Sequence, residues 1–132
     1  MDKKNRILLV DDETDFSDPV AYFFESNGYS VSKASNGEGA VKAVKEDRPD
    51  IVFLDIILPD LDGIAVLKRI REINQSLPVV MMSAYVKDDR IEKQINLYEN
   101  TAIFYKSENL SRAMALVESA LKKEGKPKQE AT

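Results

Sequence analysis

The most informative segment for the fold of this 132-residue chain is Ile51-Val52-Phe53-Leu54-Asp55. A short unbroken run of apolar side chains, ended by a polar residue, is typical of a parallel strand that helices bury on both faces. Residues 7–10 (Ile-Leu-Leu-Val) and 79–82 (Val-Val-Met-Met) have the same form, and Asp11 and Ser83 follow them. The sequence therefore predicts several buried parallel strands.

Segments with helical spacing of apolar residues separate these strands, so strand and helix alternate along the chain. Residues 29–33 and 101–105 are predicted as two further strands, the first of them less buried. Five βα units result, and we expect an α/β fold with a doubly wound five-stranded parallel sheet over residues 1–121. The polar residues 122–132 are predicted to be a tail or the start of a linker.

Capping and helix-breaking residues predict where the helices begin. Pro19 is costly inside a helix, so the first helix is expected to start with Asp18 as its cap and Pro19 in its first turn. Ser35 and Glu38 read as a capping box for the second helix. The third helix should start near Gly63, a weakly packed fourth helix should cover residues 88–97, and a fifth should present Leu110, Ala113, Met114, Val117 and Leu121.

The composition excludes several classes of chemistry. The chain has no cysteine and no histidine, which rules out disulfides, Ser/His or Cys/His triads, the usual zinc sites and a histidine phosphodonor within this chain. With 19 Lys and Arg against 23 Asp and Glu, the net charge of −4 argues against nucleic-acid binding. Because the sequence has no apolar run of membrane-spanning length and no targeting pattern, we expect a cytoplasmic protein.

Polar residues follow the predicted strands at the edge where an open parallel sheet binds its ligands. They are Asp11, Asp12, Asp55, Ser83 and Lys106. With the strand order 2-1-3-4-5 the three carboxylates meet, and clustered carboxylates raise one another's pKa or bind a hard cation such as Mg²⁺. Each residue taken alone could equally be a turn former, a helix cap or a solvated charge. All five at strand ends predict a magnesium site.

At these residues the chain resembles the receiver domain of two-component response regulators, of which the chemotaxis regulator is a single-domain example. The resemblance covers residues 6–121 and implies the flavodoxin-like strand order 2-1-3-4-5. It depends on the motifs Ile7-Leu8-Leu9-Val10-Asp11-Asp12-Glu13, Val52-Phe53-Leu54-Asp55-Ile56, Leu58-Pro59-Asp60-Leu61-Asp62-Gly63, Met82-Ser83-Ala84, and on Lys106. These motifs together are specific, whereas the aspartate pair alone would not be.

The resemblance implies that Asp55 is a phosphoacceptor. In the family this carboxylate attacks the phosphorus of a phosphohistidine on a partner kinase or of a small phosphodonor. Asp11 and Asp12 match the acidic pair that holds Mg²⁺ with Asp55, and the backbone carbonyl of Ile57 matches a further ligand. The chemistry agrees, because a carboxylate can form an acyl phosphate.

Lys106 and Ser83 match the amine and the hydroxyl that bind the phosphoryl oxygens in the family. Phosphoryl transfer depends mainly on such charge stabilisation. The implied activity is self-modification followed by slow hydrolysis, so we do not expect an enzyme that turns over another substrate. The implied partners are a sensor histidine kinase or phosphotransfer protein and an unidentified downstream protein, and a phosphorylation-dependent homodimer is left open.

Four residues near the fifth strand depart from the family's pattern. Ser107 replaces the usual Pro after the lysine, Glu99-Asn100 replaces Gly-Ala, and Ile103 replaces an aromatic residue that normally swings inward on phosphorylation. Phe104 and Tyr105 should alternate in facing, so neither is an obvious substitute. We therefore predict phosphorylation of Asp55 with an atypical conformational response. Two residues flank the acceptor, Ile57 and Tyr85, and their side chains could hinder an attacking water. We therefore predict a long-lived phosphorylated form.

Other functions fit the sequence less well. A haloacid-dehalogenase-like phosphatase needs a second Asp two residues after its nucleophile, where this chain has Glu13 or Ile57, and it needs a cap domain. A flavodoxin would place a phosphate beside Asp11-Asp12-Glu13, which repel it. The main alternative is a receiver-like module that binds proteins without phosphorylation. Since the sequence shows no output segment after Leu121, we expect a stand-alone receiver or the amino-terminal receiver of a longer protein.

Overall fold

The computed structural model describes residues 4–84 and 88–125, and within these ranges five strands and five helices alternate. The strands are β1 (Arg6–Val10), β2 (Ser30–Ala34), β3 (Ile51–Asp55), β4 (Val79–Ser83) and β5 (Thr101–Tyr105). The helices are α1 (Thr14–Ser26), α2 (Gly37–Asp47), α3 (Gly63–Ile73), α4 (Asp89–Ile95) and α5 (Leu110–Gly125). All strands pair in parallel in the order β2-β1-β3-β4-β5, which confirms the predicted doubly wound sheet.

Two hydrophobic cores lie on opposite faces of the sheet, because successive strand residues point to opposite sides. The core beneath α2 and α3 contains Leu8, Val10, Val52, Leu54, Val79 and Met81 from the strands. The core beneath α1 and α5 contains Ile7, Leu9, Ile51, Phe53, Val80, Met82 and Phe104. Every residue of β3 and β4 is buried, whereas β2 at the edge is half-exposed as predicted.

Helix α1 begins earlier than its sequence predicts. It starts at Thr14, four residues before the expected cap Asp18, and it contains Pro19 in its interior. The amides of Phe16 and Ser17 both donate to the Glu13 carbonyl (3.1 and 3.0 Å), and the Phe16 side chain packs against the core beneath α1 and α5. Pro19 faces solvent, so the carbonyl that loses its helical donor can be hydrated. Tertiary packing therefore overrides the local proline signal.

The start of α2 also differs from the prediction. Asn36, not Ser35, is the cap, and its side chain accepts from the Gly39 amide at 2.7 Å. The carboxylate of Asp60, from the loop after β3, accepts from the Gly37 and Glu38 amides at 2.7 and 3.0 Å. These hydrogen bonds hold the pKa of Asp60 below its usual value. The helix amino terminus is thus capped from a distant loop, which no local pattern reveals.

The remaining helices follow the predictions more closely. Helix α3 starts at Gly63, α4 is short with Asp88 as its cap, and α5 begins at Leu110. Helix α5 continues to Gly125, beyond the residue 121 at which the folded domain was expected to end. In the described part of the chain, none of the helices has the length and apolar character needed to cross a membrane.

Candidate functional site

Three carboxylates lie together at the carboxyl edge of the sheet. Asp55 is the last residue of β3, and Asp11 and Asp12 directly follow the neighbouring strand β1. One carboxylate oxygen from each lies within 4.8 Å of the other two. Asp11 and Asp55 are buried and Asp12 is exposed. The structure therefore brings together the acidic residues that the sequence placed at this edge.

The ammonium group of Lys106 lies among these carboxylates. Its Nζ is 2.8 Å from Asp55 Oδ2, 2.9 Å from Asp11 Oδ2 and 3.2 Å from Glu13 Oε1. The side chain is only 10% exposed. Lys106 is held in place because its backbone amide donates to the Ser83 carbonyl at 2.8 Å, which joins the ends of β5 and β4. The amine can therefore reach any group carried by Asp55.

The electrostatics of the cluster follow from burial and from these contacts. Burial raises the pKa of Asp55 and outweighs the lowering effect of hydrogen bonds from Lys106 and from the Ile57 amide, while the charge of Asp11 raises the pKa further. Burial alone would lower the pKa of Lys106, but its close contacts with the Asp55 and Asp11 carboxylates outweigh burial and raise that pKa. The lysine is thus a permanent cation at neutral pH.

The cluster offers the oxygen ligands that a hard divalent cation prefers. Asp11 Oδ2 is buried, and within the described residues it accepts no hydrogen bond of normal geometry although Lys106 lies close to it as an ion-pair partner. The other oxygen, Oδ1, accepts from the Glu13 amide at 2.8 Å, which orients the carboxylate. Oxygen ligands of this kind suit Mg²⁺. The residues present therefore fit a magnesium ion.

A cavity of about 750 Å³ opens from this cluster towards α4. Of the residues singled out in the sequence, its lining includes Asp12, Asp55, Ile57, Ser83, Ile103 and Lys106. Ser83 is buried at the end of β4, whereas the Ile57 side chain is 58% exposed. Tyr85, the other residue expected beside the acceptor, lies outside the described residues.

The loop between Asp55 and α3 has a tightly determined shape. The Gly63 amide donates to the Ile56 carbonyl at 2.7 Å. A Cβ at Gly63 would lie 2.3 Å from the Asp55 carbonyl oxygen, far inside van der Waals contact. Asp62 caps α3 by accepting from the Ile64 amide at 2.8 Å. The backbone of Ile57 is therefore held next to Asp55 by a turn that needs glycine at one position.

Two aromatic contacts at this site were not predicted. The Tyr105 hydroxyl donates to Glu92 Oε2 of α4 at 2.5 Å, and this hydrogen bond, together with burial and nearby carboxylate charges, raises the pKa of Tyr105 to about 12. The Phe16 ring lies 4.7 Å from Lys106 Nζ. The predicted alternation of β5 is confirmed, because Phe104 is buried in the core under α5 while Tyr105 lines the cavity. The two-residue spacing of Ile103 and Tyr105 was the available signal that both face α4.

Comparison with known proteins gives consistent matches. A family model described as the response regulator receiver domain matches residues 7–118. The chain is 41% identical over 97 residues to the alkaline phosphatase synthesis transcriptional regulatory protein PhoP of Bacillus subtilis, a match covering 74% of this chain and 39% of that protein. It is 37% identical over 92 residues to sporulation initiation phosphotransferase F of the same organism, covering 70% of this chain and 74% of that protein.

Solved structures agree with these matches. A crystal structure of a two-component response regulator from Clostridium difficile has a TM-score of 0.84 at 29% sequence identity, covering 93% of this chain and 100% of that chain. A CheY-like receiver domain from Methanospirillum hungatei, at 21% identity and a TM-score of 0.83, shares the fold. The motifs, the strand order and these matches together place the chain in the family of response regulator receiver domains, the signalling modules of two-component systems.

Proposed function

We propose that this receiver domain accepts a phosphoryl group on Asp55 from a histidine kinase or a phosphotransfer protein. The observation that carries the proposal is the 2.8 Å contact between Lys106 Nζ and Asp55 Oδ2 beside two further carboxylates. A nucleophilic carboxylate, a fixed cation and a metal-binding acidic pair are the parts that phosphoryl transfer to an aspartate requires. The matched sporulation phosphotransferase, by its name, supports exchange of phosphoryl groups at such a domain.

In this mechanism an Asp55 carboxylate oxygen attacks the phosphorus of the donor. A P–O bond to Asp55 forms while the bond from phosphorus to the donor's nitrogen or oxygen breaks, and the donor leaves with that electron pair. Lys106 pairs with one phosphoryl oxygen, and the Ser83 hydroxyl donates to another. Asp11, Asp12, Asp55 and the Ile57 carbonyl would hold Mg²⁺, which when bound neutralises charge on the phosphoryl oxygens.

The experiment is intact mass spectrometry after incubation with Mg²⁺ and acetyl phosphate. We expect the wild-type protein to gain one phosphoryl group, Asp55→Asn to gain none, and the exposed control variant Asp47→Asn to react like the wild type. Equal labelling of Asp55→Asn and wild type would refute Asp55 as the acceptor. If neither reacts, incubation with histidine kinases is the decisive test, and no transfer from any of them would favour the phosphorylation-independent binding module.

The phosphorylated form is proposed to be long-lived. Ile57 lines the cavity beside Asp55 with an exposed side chain, where it can restrict the approach of water in line with the acyl phosphate. We expect Ile57→Ala to hydrolyse its phosphoryl group severalfold faster than the wild type. The same role is proposed for Tyr85, and an unchanged hydrolysis rate in Tyr85→Ala would remove that residue from the proposal.

The conformational response is proposed to be atypical because Ile103 occupies the position of the family's usual aromatic residue. Ile103 is half-buried and packs against the core beneath α2 and α3. Adding beryllofluoride, an acyl-phosphate mimic, with Mg²⁺ should leave the amide spectrum of α4, β5 and α5 largely unchanged. A conventional pattern of shifts across that face would contradict this part of the proposal. The same experiment also bears on the downstream partner and on a phosphorylation-dependent homodimer, since both would need a surface that phosphorylation changes.

A further inference from the structure

The Phe16 ring is a neutral group that lies against the Lys106 ammonium. Its centroid lies 4.7 Å from Nζ, within the distance at which a cation is attracted to the negative face of an aromatic ring. The ion-pair partners of Nζ are the carboxylates of Asp11, Asp55 and Glu13. Phe16 lies outside the residues assigned to phosphoryl transfer.

Helix α1 fixes the ring in place. Because α1 starts at Thr14, Phe16 lies in its first turn, with its amide donating to the Glu13 carbonyl at 3.1 Å. The side chain is half-buried and packs against the core beneath α1 and α5. Lysine, by contrast, carries its charge on a flexible four-carbon stem. A rigid ring therefore lies against a flexible cation.

The reaction would change the contacts of Lys106 with the carboxylates but not its contact with the Phe16 ring. Asp55 would become an acyl phosphate, and Asp11 would turn its oxygens to the metal. Glu13 is 65% exposed, so its attraction for Lys106 is weakened by solvent and salt. Phe16 carries no charge and takes no part in either change. It keeps the amine near Asp55 while the other partners of the amine change.

We propose that Phe16 is a positioning residue that holds the Lys106 amine beside Asp55 during phosphoryl transfer. The proposal rests on the proposed function, since it concerns the rate of that reaction. A leucine at this position would keep most of the apolar packing but remove the ring, whereas a tyrosine would keep the packing and the ring.

The experiment compares Phe16→Leu, Phe16→Tyr and the matched control Phe23→Leu. Phe23 is also half-buried on α1 and packs against the same core, but its ring neighbour is Phe24. With acetyl phosphate and Mg²⁺, we expect Phe16→Leu to be phosphorylated about three- to tenfold more slowly than wild type. Phe16→Tyr and Phe23→Leu should stay within about twofold of the wild-type rate.

A second readout needs no phosphodonor. A ring at this distance should shift the NMR signals of the Lys106 ε-methylene group. These signals should move towards ordinary lysine positions in Phe16→Leu but not in Phe16→Tyr or Phe23→Leu. If wild type gains no phosphoryl group from acetyl phosphate or from any histidine kinase, the proposed function fails whatever the NMR result. If wild type reacts, the positioning role is overturned by an unchanged rate in Phe16→Leu, by equal slowing in Phe23→Leu, or by failure of Phe16→Tyr to restore the rate.

Discussion

The side chains of Tyr105 and Glu92 join the last residue of β5 to α4 through one hydrogen bond. Tyr105 pairs in register with Ser83 on the neighbouring strand and directly precedes Lys106. Helix α4 is short, and Ile95 is its one fully buried residue. The hydrogen bond therefore links the position of α4 to the strand that directly precedes Lys106, the catalytic lysine of the proposed reaction.

The first prediction concerns the pKa of Tyr105, which is raised to about 12 mainly by the hydrogen bond to Glu92, then by burial and by the charges of Glu92, Glu108 and Asp88. Glu92→Gln keeps an acceptor but removes the charge, so the pKa should fall towards the ordinary value of 10.0. Titration of ring-labelled tyrosines by NMR measures it, with Tyr105→Phe identifying the signal. Glu72→Gln on the exposed side of α3 is the control and should leave that pKa unchanged.

The sign of the pH dependence follows from the same contact. Because the pKa in the folded protein exceeds the unfolded value, the hydrogen bond stabilises the fold fully below a pH of about 10 and loses its effect as the pH rises through about 12. A Tyr105 signal that titrates together with the other tyrosines would show that the Glu92 contact is absent in solution.

The second prediction concerns Gly63, whose added Cβ would lie 2.3 Å from the Asp55 carbonyl oxygen and 2.6 Å from the Ile56 Cα. Since both obstacles are backbone, Gly63→Ala should lower the free energy of unfolding by about 2 kcal/mol or more. Gly39→Ala in α2 is the matched control, because its nearest obstacle is a side-chain oxygen at 3.1 Å, and it should change stability by less than about 1 kcal/mol. Equal losses in urea denaturation would contradict the steric argument.

The third prediction compares two arginines of α3. The Arg71 guanidinium is buried and donates to the carbonyls of Asn74, Glu99 and Asn100 at 3.1, 2.8 and 3.1 Å. Arg71→Met would leave those carbonyls without that donor, so we expect a loss of about 2–3 kcal/mol in the free energy of unfolding.

Its control is Arg69→Met. Arg69 forms an exposed ion pair with Glu38 at 3.2 Å, and such pairs contribute less than about 1 kcal/mol. Chemical denaturation of both variants gives the comparison. A loss at Arg69 as large as that at Arg71 would show that the buried hydrogen bonds are not what makes Arg71 important.

The fourth prediction concerns Mg²⁺ binding. The Lys106 ammonium lies 2.9 Å from Asp11 and 2.8 Å from Asp55, so it competes electrostatically with a second cation at the same carboxylates. Lys106→Met should bind Mg²⁺ about three- to tenfold more tightly than wild type, by calorimetry. Its thermal stability should also depend more strongly on Mg²⁺, because the carboxylates then repel one another without a counterion. Lys42→Met, exposed on α2, should match the wild type; weaker binding by Lys106→Met would place the metal elsewhere.

Much of the fold was predictable because its signals are local. The buried strands stand out as short apolar runs, and the parallel order follows once helices alternate with them. The start of α1 was not predictable, since packing of Phe16 against the core and the hydrogen bonds to the Glu13 carbonyl offset the cost of Pro19. The cap of α2 was missed for a similar reason, because Asp60 reaches its amides from a distant loop.

The sequence indicated the sheet and, with the family's strand order, the meeting of Asp11, Asp12, Asp55 and Lys106, because parallel strands end at one edge and that order places β1 beside β3. The other side chains that touch this group are seen only in the folded structure. Whether Phe16 reaches Lys106 and Tyr105 reaches Glu92 depends on how α1 and α4 are placed against the sheet. That placement is set by packing of the two cores, which spacing along the chain does not record.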